Sequence, residues 1–103
     1  MSSCSGNEPF ALQVLGNSME PEFPNGCIVI VEPEGQIENG CFVIANTDTE
    51  VILRKLLIKN QRWWLEALNL DYPVLEIRDP RSIRGIVTQR AGRRRSDRKS
   101  YSP

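Results

Sequence analysis

The chain has 103 residues, 40% of them hydrophobic, with 13 basic and 13 acidic side chains and no histidine. This length holds one domain that buries about 60–70% of the surface its unfolded chain would expose. Without histidine, neither imidazole catalysis nor a histidine-containing metal site is available. The charge is unevenly spread. Residues 90–103 carry five arginines and one lysine against one aspartate, and residues 1–89 hold the compensating negative excess. Cys4, Cys27 and Cys41 lie far apart without CxxC spacing, so no zinc site and no cofactor are expected, and a reducing cytoplasmic setting fits. The first nine residues lack the basic start and apolar core of a signal peptide. The longest apolar run, Cys27–Val31, is far short of the roughly 20 residues that cross a bilayer. A soluble protein without membrane association is expected.

In chain order, residues 1–9 read as an N-terminal arm. Strands are predicted at Ala11–Leu15, Cys27–Val31, Cys41–Ala45, Val51–Lys59, Arg62–Leu68 and Gly85–Gln89, because these runs are rich in β-branched and aromatic residues. Turn-forming groups separate them: Pro24-Asn25-Gly26, Glu34-Gly35, Glu38-Asn39-Gly40, Thr47-Asp48-Thr49 and Lys59-Asn60-Gln61, the last suited to a hairpin. Nothing sustains a helical period. The fold class expected is mostly β, a single compact domain over residues 10–89. Within it, Trp63-Trp64 should send one ring inward and expose the other. Residues 90–103, rich in Arg and Ser, read as a disordered basic tail. Such a tail either contacts nucleic-acid phosphates weakly or serves as a solubilising end.

The candidate chemistry lies in Gly16-Asn17-Ser18-Met19-Glu20-Pro21 and in Glu50-Val-Ile-Leu-Arg-Lys-Leu-Leu-Ile-Lys59. A serine nucleophile in a chain without histidine needs another base, and a lysine amine serves when neutral. Lys55 is the candidate. Its reference pKa is about 10.4, so apolar burial must lower it by roughly three units for the amine to work near pH 7. On a strand, Lys55 shares a face with Val51, Leu53 and Leu57, but the opposite face is also apolar, so both faces of this strand are expected to be covered. Gly16 permits unusual backbone angles before Ser18, and Met19 reads as a packing residue beneath the loop.

Gly16-Asn17-Ser18-Met19-Glu20-Pro21 through Gly26-Cys27-Ile28-Val29-Ile30-Val31 resembles the serine motif of the LexA, UmuD and lambda-type repressor peptidases. The order continues with Asn39–Ala45, Val51–Leu56, Leu65–Pro73 with its Tyr-Pro ending, and Ile83–Val87. The resemblance thus spans about residues 10–89. It implies short, strongly bent strands of the LexA/signal peptidase-like β fold and a Ser18–Lys55 dyad. It also implies an oxyanion hole from the backbone amides of Ser18 and Asn17, and a homodimer. Cys27 and Cys41 stand where the family has aspartate after glycine. Seventeen residues precede Ser18, and no Ala-Gly or Cys-Gly pair occurs among them, so conventional self-cleavage is not expected. Ala91-Gly92 is a weak candidate for a cut in the tail.

Two readings remain open. The first is a stand-alone serine endopeptidase in which Ser18 attacks a peptide carbonyl and Lys55 relays the proton, acting on a peptide or protein substrate or on its own terminus. The second is a dimeric docking module, like the processed form of UmuD, for a DNA-damage-response or DNA-repair partner such as an error-prone polymerase. A type I signal peptidase relative fits less well, since Glu22-Phe23 stands where Thr-Leu is typical.

Overall fold

The computed structural model describes residues 8–91 and 99–101. Its strands are β1 (Phe10–Gln13), β2 (Ile28–Glu32), β3 (Phe42–Asn46), β4 (Val51–Lys59), β5 (Arg62–Glu66), β6 (Leu75–Ile77), β7 (Ile83–Ala91) and β8 (Lys99–Ser100), with a 3-10 turn at Pro80–Ser82. They form one sheet in the order β1-β2-β7-β3-β4-β5-β6, with β8 added to β7, and every pairing is antiparallel. The fold is mostly β, as expected. All six expected strands are present, each boundary within two residues of its expected place.

β6 was not expected. Its three residues, Leu75-Glu76-Ile77, are too few to show a period. They become a strand by pairing with Trp63–Leu65 of β5. The end of the domain also differs from the boundary expected at residue 90. Arg90 and Ala91 complete β7 opposite Val29 and Ile28, and Lys99–Ser100 pairs with Gln89 and Arg90. β3 pairs with β7 only at Ile83–Ile86, which leaves the later backbone groups of that edge for β8. Tyr101 then packs its ring 5.2 Å from Phe23 and 5.4 Å from Phe42. Residues 92–98 and 102–103, including Gly92 of the Ala91-Gly92 pair, lie outside the described residues.

β4 and β5 meet through Asn60 and Gln61, whose φ angles of 51° and 66° are both positive. A two-residue hairpin turn of this hand matches the right-handed twist of the strands it joins. β4 is buried from both sides. Leu53 belongs to a core with Val14, Met19, Phe23, Val29 and Val87, whereas Ile52 and Leu56 join Val43, Ala45, Leu65 and Ile86. The near-unbroken apolar character of Val51–Ile58 follows from that double coverage. Trp63 packs against the second core; Trp64, on the other face, borders a cleft with Leu57 and Val74, and both rings are half-buried.

Irregularities in β2 between Ile30 and Val31, and in β3 between Ile44 and Ala45, bend these strands where they cross β7. The crossing is tight. A Cβ on Gly85 would lie 2.6 Å from Val31 Cγ1 and 3.0 Å from the Glu32 carbonyl oxygen, so only glycine fits.

The loop between β1 and β2 carries Ser18 and is anchored at two points. Met19 and Phe23 are fully buried, each large apolar side chain contributing about 1.5–3 kcal/mol by leaving water. At its far end Glu22 receives hydrogen bonds from Lys99 Nζ at 2.8 Å and Tyr101 Oη at 2.6 Å. Arg90 Nη1 lies 3.4 Å from the same carboxylate and also donates to the Glu22 carbonyl. The bonds from Lys99 and Tyr101 hold the Glu22 carboxyl below the usual carboxylate range. Burial, then the bond to Glu22, pushes the Tyr101 hydroxyl well above its own. Arg90, Lys99 and Tyr101 therefore clamp the later part of the loop.

Two outcomes are expected. Gly85→Ala should lower stability by about 1–3 kcal/mol through overpacking, read as a reduced urea midpoint with an unchanged slope. Because the folded Glu22 carboxyl titrates below its unfolded value of about 4.3, its stabilisation is complete above that value and is lost as pH falls through the lower, folded value. Glu22→Gln should be less stable than wild type at pH 7, and the two stability curves should converge in acid; parallel curves would discount the clamp.

Candidate active site

Ser18 lies in a turn built by its neighbours. Gly16 has φ +94°, a backbone conformation that side-chain-bearing residues avoid, and its N–H donates to Asn25 Oδ1 at 2.7 Å. The segment after β5 grips the same turn from the other side. Asn69 N donates to the Ser18 carbonyl at 2.9 Å, Asn69 Nδ2 donates to the Asn17 carbonyl at 3.2 Å, and the Tyr72 hydroxyl donates to Asn17 Oδ1 at 2.8 Å. Carbonyls are thus held outward by Asn69. Among the described residues, the Asn17 and Ser18 N–H groups donate to no other protein group. They are the two amides expected to form an oxyanion hole.

The partner of the serine hydroxyl is Arg54. Its Nη1 donates to Ser18 Oγ at 3.0 Å and to the Leu53 carbonyl at 2.8 Å. β5 pairs with β4 only from Lys55 onward, which leaves the Leu53 carbonyl available to the guanidinium. Tyr72 covers the group, with its ring centroid 5.5 Å from Arg54 Cζ, within cation–π range. Arg54 is 8% exposed and is the only buried charged residue among those described. Its Nε is buried without a hydrogen-bond partner. Burial lowers the pKa of the guanidinium, against the opposing influence of Glu50 and Tyr72. No carboxylate lies within ion-pair distance of it among the described residues.

The structure therefore hydrogen-bonds Ser18 Oγ to Arg54 rather than to Lys55. Lys55 is half-buried, stands opposite Phe42 and Glu66, and runs past Gly40, its Cε 4.0 Å from the place a Gly40 Cβ would take. Consecutive residues of a strand leave it on opposite sides, so Lys55 shares the face of Leu53, which packs with Val14 and Met19 of the serine loop, whereas Arg54 shares the face of Ile52 and Leu56. Among the described residues no hydrogen bond joins Lys55 to Ser18. Arg54 was not among the expected site residues, because both faces of β4 are apolar and the two spacings, 36 and 37 positions from Ser18, differ by one residue. The one signal in the sequence was the arginine itself, charged and adjacent, inside an otherwise buried strand.

Cys27 is buried and Cys41 partly so, both as free thiols, and burial raises both thiol pKa values. This is the setting of inert packing cysteines. Ser18 and Arg54 open on a cleft of about 370 Å³ whose apolar walls include Leu12, Val14, Ile44 and Ile52.

The family model described as Peptidase S24-like matches residues 2–88. The HTH-type transcriptional regulator for conjugative element SXT of Vibrio cholerae is 34% identical over 87 residues, covering 78% of this chain and 40% of that protein. Repressor protein C2 of Salmonella phage P22 is 36% identical over 90 residues, covering 82% of this chain and 41% of the repressor. The chain thus spans about two fifths of the length of the curated relatives it matches. With the family model covering β1–β6, most of β7 and the serine loop together, the chain belongs to the Peptidase S24-like family.

Proposed function

We propose that this chain is an S24-like module that keeps the fold and the serine loop of a peptidase and works by binding, a reading supported by the bond that engages its serine hydroxyl with Arg54 instead of Lys55. The observation that carries this reading is the 3.0 Å bond from Arg54 Nη1 to Ser18 Oγ. Acyl transfer begins when a base takes the serine proton. A guanidinium has five donors and no acceptor, and even a buried one remains protonated at neutral pH. Arg54 donates to the oxygen that would have to lose a proton, so it takes one of that oxygen's two lone pairs and cannot itself accept the proton. A lysine at the same place could shed its proton after burial; an arginine does not.

The names of the relatives, transcriptional regulators of conjugative elements and a phage repressor, support a place in a regulatory assembly over one beside a polymerase. Association with a second copy is part of the proposal. Leu70 is 96% exposed, and Val74 and Leu75 follow at 51% and 37% beside the edge strand β6. Apolar side chains gathered at a free sheet edge favour pairing with another surface.

Intact mass and labelling by a fluorophosphonate, followed from pH 7 to pH 10, test the catalytic half. Wild type should neither lose a fragment nor be acylated at Ser18. Arg54→Lys should gain labelling that rises about tenfold per pH unit while the amine is still mostly protonated. Cleavage or labelling in wild type that disappears in both Ser18→Ala and Lys55→Ala would restore Lys55 as the base and overturn the reading. Sedimentation tests the other half: wild type should be dimeric at micromolar concentration, and a Leu70→Glu, Leu75→Glu double variant monomeric with an unchanged circular dichroism spectrum. A monomeric wild type would remove the self-association.

A further inference from the structure

We propose that Lys99–Tyr101 is a detachable strap that sets the order of the serine loop: docked, it holds Glu22 and Phe23 in place; released, it frees the loop while the sheet stays folded. The segment lies beyond residues 2–88, which the family model matches, so it is an addition to the matched region. The inference stands whether or not Ser18 reacts, because it concerns only how firmly the loop is held.

Two features make the strap separable. β8 is two residues long, both exposed, and it borders β7 on the stretch of edge that β3 leaves beyond Ile86. So short a strand has no stability of its own; it stays because Tyr101 anchors it. The Tyr101 N–H donates to the Thr88 carbonyl at 2.7 Å, and its ring packs on Phe23 and Phe42. The packing is incomplete. A cavity of about 330 Å³ lies between Gly40–Phe42 and Ile86–Val87, with Tyr101 forming one wall. Segments with few buried contacts and exposed backbone open at a free energy well below that of the whole domain.

The path from the strap to the serine is short. Lys99 Nζ and Tyr101 Oη donate to the Glu22 carboxylate at 2.8 and 2.6 Å. The next residue, Phe23, donates its N–H to the Met19 carbonyl at 2.8 Å, and the Glu20 N–H donates to the Asn17 carbonyl at 3.3 Å. Ser18 lies inside these two bonds. Release of the strap takes two donors from Glu22 and an aromatic neighbour from Phe23. Arg90 stays, because it belongs to β7 and keeps its own contacts with Glu22, and Met19 and Phe23 remain in the first core. The loop therefore loosens without coming away. Lys99 is half-exposed, so dissolved salt screens its attraction for Glu22 and biases the strap toward release.

Amide hydrogen exchange of the full chain, followed by NMR, tests the proposal. In wild type the Tyr101 amide should exchange by local opening, its protection at least about tenfold below that of Leu56, a fully buried residue whose N–H donates to the Cys41 carbonyl. In a Lys99→Ala, Tyr101→Ala double variant, the Glu20 and Phe23 amides should lose about tenfold in protection. Thr47, whose N–H is bonded to Glu50 in the distant β3–β4 turn, should not change, and Leu56 should remain the better protected. Raising the salt to about 0.5 M should lower the protection of Phe23 in wild type and leave it unchanged in the double variant. Unaltered Glu20 and Phe23 amides in the variant, an equal loss at Thr47, or a wild-type Phe23 insensitive to salt would each overturn the proposal. Should the double variant fail to fold, wild type decides alone: a Tyr101 amide as protected as Leu56 would make the segment part of the global core and not a strap.

Discussion

β4 is the element on which the fold and the site both depend. Its nine residues run between two cores, with Leu53 in one and Ile52 and Leu56 in the other, so only its ends, Val51 and Lys59, are exposed. A charged side chain placed in such a strand must find polar company. Arg54 finds it in the Leu53 carbonyl and Ser18 Oγ, which ties the serine turn to the centre of the sheet. The bond is therefore structural as well as chemical: it satisfies part of a buried cation and fixes the hydroxyl in the same contact.

The turn itself is held by groups distant in sequence. Met19 and Phe23 sink into the first core, the Asn69–Tyr72 segment seizes the Asn17 and Ser18 carbonyls and the Asn17 side chain, and Glu22 is clamped by Arg90, Lys99 and Tyr101. These constraints point Asn17 and Ser18 N–H groups away from internal partners. Preorganised amides of this kind stabilise negative charge without reorganising, whether that charge is transient, as in acyl transfer, or permanent, as in a carboxylate.

Membership of the S24-like family and the Arg54 contact are compatible because a fold is maintained by its cores and turns, not by its chemistry. Every element that builds the serine turn is intact here. The contact of Arg54 with Ser18 adds a permanent cation to that turn without altering how the turn is made.

Much of the architecture was legible in the sequence. Six strands, the Asn60-Gln61 turn, the need for glycine at position 16 and the double coverage of β4 all follow from local composition and period, since β-branched runs and turn residues act over a few positions. β6, the extension of β7 to Ala91 and the docking of Lys99–Tyr101 were not, because each is made by a partner strand or ring far away in the chain. The Asn17 and Ser18 donors were placed by the serine motif, but the residue that meets Ser18 was decided only by the tertiary structure. Two adjacent basic residues on a strand apolar on both faces carry no local mark of direction; which one turns toward the serine depends on where β5 stops pairing and leaves the Leu53 carbonyl free for a guanidinium.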